Sequence, residues 1–304
     1  MTKTGSLLRI LGLYLLAVAV GAGWLLLGPD TAHVWLDTLV ADLLATLVVF
    51  AGSRRWGNSS CSDAYWSVAP PLLLLAWWLE APADADDGRI ALVGLLVLAW
   101  AVRLTLNWAR SFPGMHHEDW RYPILRERAG GRRAAEIGID LAAIHVIPTL
   151  QVFLGLVPVY LLTRSDRPLG VLDVVALVIG VAAVTLETVA DAQLRAFVAD
   201  HRPGEVMDRG VWGWSRHPNY VGELGFWVAL AVAGLAAEPS LWPGLLSLVG
   251  VVAMLAMFLG ASIPMMEERS LARRPEYAAV IARVPRFLPR PPRRGAGDAG
   301  TGLA

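Results

Sequence analysis

The sequence lacks the residue groups that build disulfide-stapled or metal-bound scaffolds. Its 304 residues include one cysteine, Cys61, which excludes an internal disulfide. Cys61 falls in a loop predicted to face the reducing cytoplasm, so we expect it to remain a thiol. His116 and His117 are adjacent, so their side chains point apart, and no Cys or His cluster accompanies them. No metal site is therefore predicted, and no repeat of roughly 20–50 residues indicates a solenoid.

Charge is also scarce, whereas apolar residues are abundant. Only 17% of the residues are charged, the formal net charge is zero, and 56% are hydrophobic. Blocks of spanning length predict an all-α polytopic transmembrane bundle in a single domain, residues 1–289. The first block follows Lys3 but lacks a signal-peptide cleavage site, so we interpret it as a span. About eight spans are predicted: Leu7–Leu27, Val34–Gly52, Tyr65–Leu79, Ile90–Trp108, Leu141–Leu162, Val171–Leu186, Leu224–Ala236 and Leu245–Pro264.

The distribution of basic residues favours an even number of spans. With eight, one side contains 22 of the 26 Lys and Arg residues, with Arg9 at the start of the first span counted with the N-terminus; the opposite loops contain 3, and Arg103 lies within a span. By the positive-inside rule, both termini are cytoplasmic. We expect a multi-pass integral protein in a membrane of the bacterial inner-membrane type. Residues 290–304 are rich in Pro, Gly and Arg, which predicts a disordered basic tail.

The chemically richest stretch is Asp208–Glu223, which lies between two apolar runs. Interfacial aromatics explain its tryptophans, but not Arg216, His217, Asn219 and Glu223. Pro218 is expected to break the helix before Asn219. Gly222 permits close approach of either a ligand or another helix. The stretch therefore predicts a polar site at the cytoplasmic end of the seventh span.

Three other stretches are predicted to reach the same side of the membrane. Arg103 and Asn107 share a face of the fourth span, and an intramembrane Arg indicates a functional site unless it snorkels to headgroups. Glu187, Asp191 and Arg195 form a ridge on the sixth helix, for which a plain salt-bridge ladder is the alternative interpretation. The last stretch follows the eighth span and includes Glu268, Arg269 and Tyr277.

The loop before the third span is polar and aromatic. Ser62 or Asp63 is expected to cap that helix, because both residue types are favoured at helix N-termini. The alternative interpretation places Asp63, Tyr65 and Trp66 at the mouth of a cavity between spans. Glu118–Tyr122 mixes charges with aromatics and is expected to form a structured lid.

Several motifs together resemble the steroid 5α-reductase-like membrane proteins, in particular their bacterial branch. The resemblance covers roughly Asp63 to Pro289. It rests on Ser215-Arg-His-Pro-Asn-Tyr-Val-Gly-Glu223, Glu267-Glu-Arg, Pro275-Glu-Tyr277, Arg283-Val-Pro-Arg-Phe287, Asp63-x-Tyr-Trp66 and Glu118-Asp-Trp-Arg-Tyr122.

The resemblance implies a bundle that holds NADPH on its cytosolic side and reduces the activated, enone-type double bond of a steroid-like or other lipid entering from the bilayer. In this family a Tyr polarises the substrate carbonyl, and Trp100 occupies the corresponding position in this sequence. Tyr65 and Asp63 are the nearest groups able to replace it and are therefore the catalytic candidates. The implied cofactor-binding residues are Arg103, Asn107, Glu187, Asp191, Arg195, Arg202, Arg216, His217, Asn219, Tyr220, Glu223, Glu268, Arg269 and Tyr277.

Two alternatives stay open at the level of sequence. The motif Arg-His-Pro-x-Tyr-x-Gly followed by Glu-Glu also resembles membrane methyltransferases of the isoprenylcysteine carboxyl and phospholipid type, which bind S-adenosylmethionine. A non-catalytic lipid-binding protein is the second alternative. Membrane lipids are expected partners in each case, and no nucleic-acid partner is predicted.

Overall fold

The computed structural model describes residues 2–290, so the predicted disordered tail lies outside the described residues from position 291 onward. The regular secondary structure of the described chain is helical, with no strand, which confirms the all-α prediction. Its helices are α1 (Lys3–Leu27), α2 (Val34–Trp56), α3 (Tyr65–Leu79), α4 (Asp87–Ser111), α5 (Arg121–Glu127), α6 (Arg133–Ile139), α7 (Ile147–Gly155), α8 (Val157–Leu162), α9 (Val171–Asp200), α10 (Pro218–Ala237), α11 (Leu241–Ser247), α12 (Val249–Met257), α13 (Ile263–Arg273) and α14 (Tyr277–Arg283).

Seven helical stretches within residues 2–290 are long and apolar enough to cross a membrane, which fits a multi-pass integral membrane protein. They are Lys3–Leu27, Val34–Trp56, Asp87–Ser111, Arg133–Leu162, Val171–Asp200, Pro218–Ala237 and Leu241–Arg273. The third predicted span forms α3 with its predicted bounds, but it has only 15 residues. At 1.5 Å per residue α3 is about 22 Å long, shorter than the ~30 Å hydrocarbon layer.

Two of the long stretches contain π-helical segments. Asp140–Val146 joins α6 to α7, and Phe258–Ser262 joins α12 to α13. Segments of this kind widen the helix by one residue per turn and often occur at functional sites. The first begins at Asp140, whose side chain is fully buried.

The chain divides into two compact units. Unit 1 comprises Met1–Gly170 with Ala233–Gly250, and unit 2 comprises Val171–Val232 with Val251–Ala304. In unit 1, α1 and α2 pack closely at Gly52, where an added Cβ would lie 2.6 Å from a methyl group of Leu13. The core around this contact includes Tyr14, Val49 and Tyr65. Unit 2 contains α9, the start of α10, α13 and α14.

Two local expectations are wrong. Neither Ser62 nor Asp63 caps α3: a 3₁₀ turn over Ser59–Ser62 precedes it, the capping position is Ala64, and the Ser62 hydroxyl donates to the Ser59 carbonyl over 2.7 Å. Pro218 does not break a helix but begins α10. A proline suits the first position of a helix because its missing N–H has no intrahelical acceptor there.

Candidate functional site

In unit 2, helices α9 and α10 touch at Gly222. A Cβ added to Gly222 would lie 2.4 Å from Cγ of Glu187 and 2.8 Å from the carbonyl oxygen of Ala183. Gly222 therefore serves the approach of another helix, one of the two readings that the sequence allowed. The contact brings the Asn219-x-x-Gly-Glu motif beside the first residue of the Glu187–Arg195 ridge.

The two polar residues of this motif have different surroundings. Glu223 is 6% exposed, and its Oε1 accepts a 2.8 Å hydrogen bond from Nε1 of Trp227, one turn further along α10. Asn219 is half-buried at the start of α10. Within the described chain its side-chain amide forms no hydrogen bond. Asn219 can therefore offer both a donor and an acceptor to a bound molecule.

A buried ion cluster in unit 2 is centred on Glu267. Its Oε1 accepts from Nε of Arg216 over 2.8 Å and lies 3.2 Å from Nε2 of His217, while its Oε2 lies 2.9 Å from a guanidinium nitrogen of Arg286. Arg216 and Glu267 are less than one-tenth exposed. Such buried pairs are stable only when the charges are matched and hydrogen-bonded, as they are here.

Arg216 also fastens the C-terminal part of unit 2. Its Nη1 donates to the carbonyl oxygens of Ile281 (2.9 Å) and Val284 (3.1 Å), and its backbone N–H donates to the carbonyl of Pro285 over 3.0 Å. With the Nε bond to Glu267, the predicted cofactor-binding residue Arg216 donates four hydrogen bonds to the protein itself. We conclude that Arg216 positions the Ser215–Asn219 segment.

The predicted cofactor-binding residues included Glu268 but not Glu267 or Arg286, although both of these belong to the motifs that carry the resemblance. Glu268 is exposed, whereas Glu267 is 7% exposed. Helical phase contained the signal, because Glu267 is four residues after Ile263, which is fully buried, and residues four apart share a helix face. For Arg286 the signal was its place in the Arg283–Phe287 motif.

The remaining predicted residues of unit 2 have varied positions. Tyr220 stacks between the rings of His217 and Phe258, with centroid distances of 5.7 and 4.5 Å. Tyr277 is buried, and burial followed by the negative charge of Glu267 raises the pKa of its hydroxyl to about 12. Positions intermediate between buried and exposed are occupied by Asp191, Arg195 and Arg269, and Arg202 is exposed.

In unit 1, the catalytic candidates Asp63 and Tyr65 have separate partners. The Tyr122 hydroxyl donates to Oδ1 of Asp63, and the Tyr65 hydroxyl donates to Oδ1 of Asp42 over 2.9 Å. Burial raises the pKa of Asp63 to about 7, although the Tyr122 hydroxyl and the Arg121 charge oppose the shift. A carboxyl group with a pKa near neutrality can hold or release a proton at physiological pH.

Space around Tyr65 is small. A cavity of about 10 Å³ is lined by Tyr65, Thr46, His145, Thr149 and neighbouring residues. That volume suits one water molecule and excludes a lipid. His145 is held by the backbone carbonyl of Asp140 (2.7 Å) and by the Ser53 hydroxyl (3.1 Å).

Unit 1 also contains an ion cluster, which was not predicted from the sequence. Buried Asp140 binds both Arg54 and Arg126, and Arg126 also binds Glu118 at 2.6 Å. Glu118 accepts from the backbone N–H of Ser59 over 2.7 Å. These contacts hold the segment 118–126, which includes most of α5, against Asp140 and Ser59; its role as a lid stays a prediction. Arg103 and Asn107 are half-buried on α4.

Comparison with known proteins assigns the chain to a family. A family described as "Protein of unknown function (DUF1295)" matches residues 49–284. The chain belongs to the DUF1295 family. An uncharacterised protein of Schizosaccharomyces pombe is 27% identical to this DUF1295 chain, over 84% of the chain and 80% of the yeast protein. No solved structure gives a significant match.

The matched range includes Asp63, Asn219, Gly222 and Glu267 of this DUF1295 protein, but ends before Arg286. No group of three or more His, Cys, Asp and Glu side chains among residues 2–290 has the arrangement of a metal site. In unit 2 of the DUF1295 protein, the side-chain amide of Asn219 lies beside the contact of Gly222 with Glu187, and Arg195 and Arg202 follow on the same helix and the loop after it. Unit 1 offers a carboxyl that titrates near neutrality.

Proposed function

We propose that this DUF1295 protein is an NADPH-dependent membrane reductase of the steroid 5α-reductase-like type. It reduces an activated, enone-type double bond in a steroid-like or other hydrophobic substrate that enters from the bilayer. The observation that supports this proposal most is the Asn219 amide, which has no hydrogen-bond partner in the described chain and lies beside the Gly222–Glu187 helix contact. The resemblance assigns cofactor contact to this residue.

The residues of unit 2 fit a dinucleotide. Bound NADPH would supply a hydride. The Asn219 amide can pair with an amide or hydroxyl of the cofactor, because it offers a donor and an acceptor in one plane. Arg195 and Arg202 supply guanidinium forks, which bind phosphate oxygens in pairs. The Glu267 cluster keeps the loop before Asn219 in place, so that the amide is oriented before the cofactor arrives.

The substrate side of the proposal draws on unit 1. Reduction of an enone is favoured when a donor stabilises the oxygen that gains negative charge. The Tyr65 hydroxyl donates a hydrogen bond to Asp42. Asp63 has a pKa of about 7 and therefore keeps its proton at lower pH. In this proposal either group serves as the donor. Arg103 and Asn107 remain cofactor-binding candidates of unit 1, and the orientation proposed for the cofactor site is cytoplasmic.

The test is cofactor identity. Purified protein in detergent is expected to gain several degrees in Tm with NADPH, because a ligand that binds only the folded state stabilises it. Asn219→Ala should lose most of that gain, whereas Thr185→Ala is the matched control because Thr185 is exposed and bonds only within α9. Oxidation of NADPH should then require an α,β-unsaturated ketone of steroid size.

Other outcomes select the alternatives. Stabilisation by S-adenosylmethionine alone would replace the reductase with a membrane methyltransferase. The motif behind that resemblance includes Arg216 and Glu267, which bind each other and the C-terminal segment in this structure. No stabilisation by either compound would leave a non-catalytic lipid-binding protein.

A further inference from the structure

Asp42 is a buried carboxyl within a helix of spanning length, and the proposed function gives it no role of its own. It follows Val34, the first residue of α2, by eight positions, which places it about 12 Å along the helix. Its side chain lies in unit 1, and the residue is 5% exposed. An ionisable side chain is costly at such a position and usually marks a functional site.

Asp42 has one polar partner within residues 2–290. The Tyr65 hydroxyl lies 2.9 Å from Oδ1, and no Lys or Arg side chain in this range forms an ion pair with Asp42. The other titratable groups near the pair are Tyr14, whose ring contacts that of Tyr65, and His145 across a small cavity. Asp140, on the same segment as His145, is already paired with arginines. These surroundings accommodate a neutral carboxyl better than a charged one, because no cation compensates a buried negative charge.

The charge of Asp42 decides in which direction its hydrogen bond with Tyr65 runs. An ionised carboxylate can only accept, so it keeps the Tyr65 proton directed at Asp42. A neutral carboxyl can donate across the same 2.9 Å distance to the Tyr65 oxygen. The Tyr65 proton is then able to turn toward another acceptor. Tyr65 can therefore act as a proton donor only while Asp42 is neutral.

The Tyr65 side chain is fixed in a place where its proton has an acceptor. Its ring meets that of Tyr14 edge to face, with centroids 5.7 Å apart, and the Tyr14 hydroxyl donates to the carbonyl of Cys61 over 2.6 Å. Tyr65 also lines the cavity of about 10 Å³, together with Thr46 and Thr149, whose hydroxyls lie 2.9 Å apart. A water molecule in a cavity of this size finds several polar partners there.

We propose that Asp42 is a positioning residue: as a neutral carboxyl it donates to the Tyr65 oxygen and leaves the Tyr65 proton available for transfer. The inference rests on the proposed function in taking Tyr65 as the proton donor. Once the substrate has gained a hydride from the cofactor, the Tyr65 proton passes to the carbonyl oxygen and an enol is formed. The Asp42 hydrogen bond stabilises the resulting Tyr65 anion until water returns a proton to it.

Infrared spectroscopy tests the neutral state without any need for activity. A protonated carboxyl has a C=O stretch that a carboxylate lacks, so the spectrum of wild type minus that of Asp42→Asn, in detergent at pH 7, should show this band. The matched control is Asp84→Asn, because Asp84 is exposed and should give no such difference. No band in the Asp42→Asn difference spectrum would overturn the inference.

Reduction of an α,β-unsaturated ketone by NADPH tests the role of Asp42 in turnover. Asp42→Leu should lower kcat by about a hundred-fold, a loss typical for proton transfer, with little change in KM. Asp42→Asn should stay within about three-fold of wild type at pH 7, because its amide N–H donates permanently to the Tyr65 oxygen. The ratio of the Asp42→Asn rate to the wild-type rate should rise between pH 6 and pH 9. Asp63 titrates in both proteins, so this ratio reports Asp42.

The outcomes separate this inference from the proposed function. Wild-type kcat in Asp42→Leu, or a ratio that does not change with pH, would overturn the role of Asp42 while the reductase stands. A purely structural role predicts lower Tm values for both variants and no rescue by Asp42→Asn. If wild type reduces no enone, the proposed function fails, and the infrared band alone decides whether Asp42 donates to Tyr65 as a neutral carboxyl.

Discussion

At the scale of single residues, two adjacent glutamates have opposite roles. Glu267 neutralises Arg216 inside the protein, whereas Glu268 is exposed. Glu267→Ala should lower the free energy of unfolding by about 3–5 kcal/mol, because it leaves Arg216 buried without its carboxylate. Glu268→Ala should change it by less than about 0.5 kcal/mol. Thermal unfolding of both variants in detergent measures the difference, and equal Tm values would contradict the cluster.

Asp63 gives the protein a stability that depends on pH. Burial raises its pKa from the usual 3.8 to about 7 in the folded state. The folded state therefore binds more protons between these values, and stability falls as pH rises from about 4 to 7. Above pH 7 the loss is complete.

Asp63→Asn should remove that pH dependence, because the amide cannot ionise yet still accepts from Tyr122. We expect the variant to be more stable than wild type by about 1–2 kcal/mol at pH 8, with the gap closing toward pH 4. This figure is discounted because Asp63 is half-buried. Asp84→Asn, at an exposed position, is the control, and parallel Tm curves for wild type and Asp63→Asn would contradict the shift.

At the scale of elements, the contact of α9 with α10 depends on a missing side chain. Gly222→Ala would place a Cβ 2.8 Å from the carbonyl oxygen of Ala183 and 3.0 Å from the backbone nitrogen of Glu187. Both are backbone atoms of α9, which cannot move aside as a flexible side chain can. We expect a loss of about 1–3 kcal/mol of unfolding free energy and weaker NADPH binding. Gly12→Ala on α1 meets nothing within 4 Å and should be neutral or slightly stabilising. Unchanged Tm and affinity in Gly222→Ala would contradict the close contact.

Helices were predictable from the sequence where apolar runs define them. Tyr65–Leu79 has its predicted bounds, and the helix that begins with the run Val171–Leu186 includes the predicted Glu187–Arg195 ridge and continues five residues beyond it, to Asp200. Hydropathy detects the apolar part of this helix, whereas the i, i+4 spacing of its charged residues detects the polar extension. The Asn219–Glu223 motif was found because its residue types are rare between apolar runs.

Contacts between distant residues were not predictable in this way. Arg54 and Asp140 are 86 positions apart, and Glu267 and Arg216 are 51 apart. Each pairing depends on how helices pack, which a single sequence does not specify. Pro218 was also misinterpreted, although its position depends only on neighbouring residues. Proline is found both where helices end and at their first position, so the residue type alone does not say which.

At the scale of the whole molecule, the open question is whether the short helix α3 crosses the membrane. Both termini are cytoplasmic only if the number of crossings is even, and residues 2–290 contain seven stretches of spanning length. The basic residues favour eight crossings, since 22 of 26 then lie on one side. A short span is accommodated by local thinning of the bilayer at modest cost. We therefore expect α3 to cross.

Labelling of single cysteines with an impermeant maleimide in intact cells decides the topology. If α3 crosses, Asp84→Cys before α4 reacts from outside, and Arg132→Cys before α6 reacts only after lysis; if α3 does not cross, the two positions exchange their behaviour. Cys61 contributes little background, because it is fully buried and burial raises the pKa of its thiol to about 12, so the reactive thiolate is scarce. External labelling of Arg132→Cys would overturn the cytoplasmic orientation of the Glu118–Arg126 cluster.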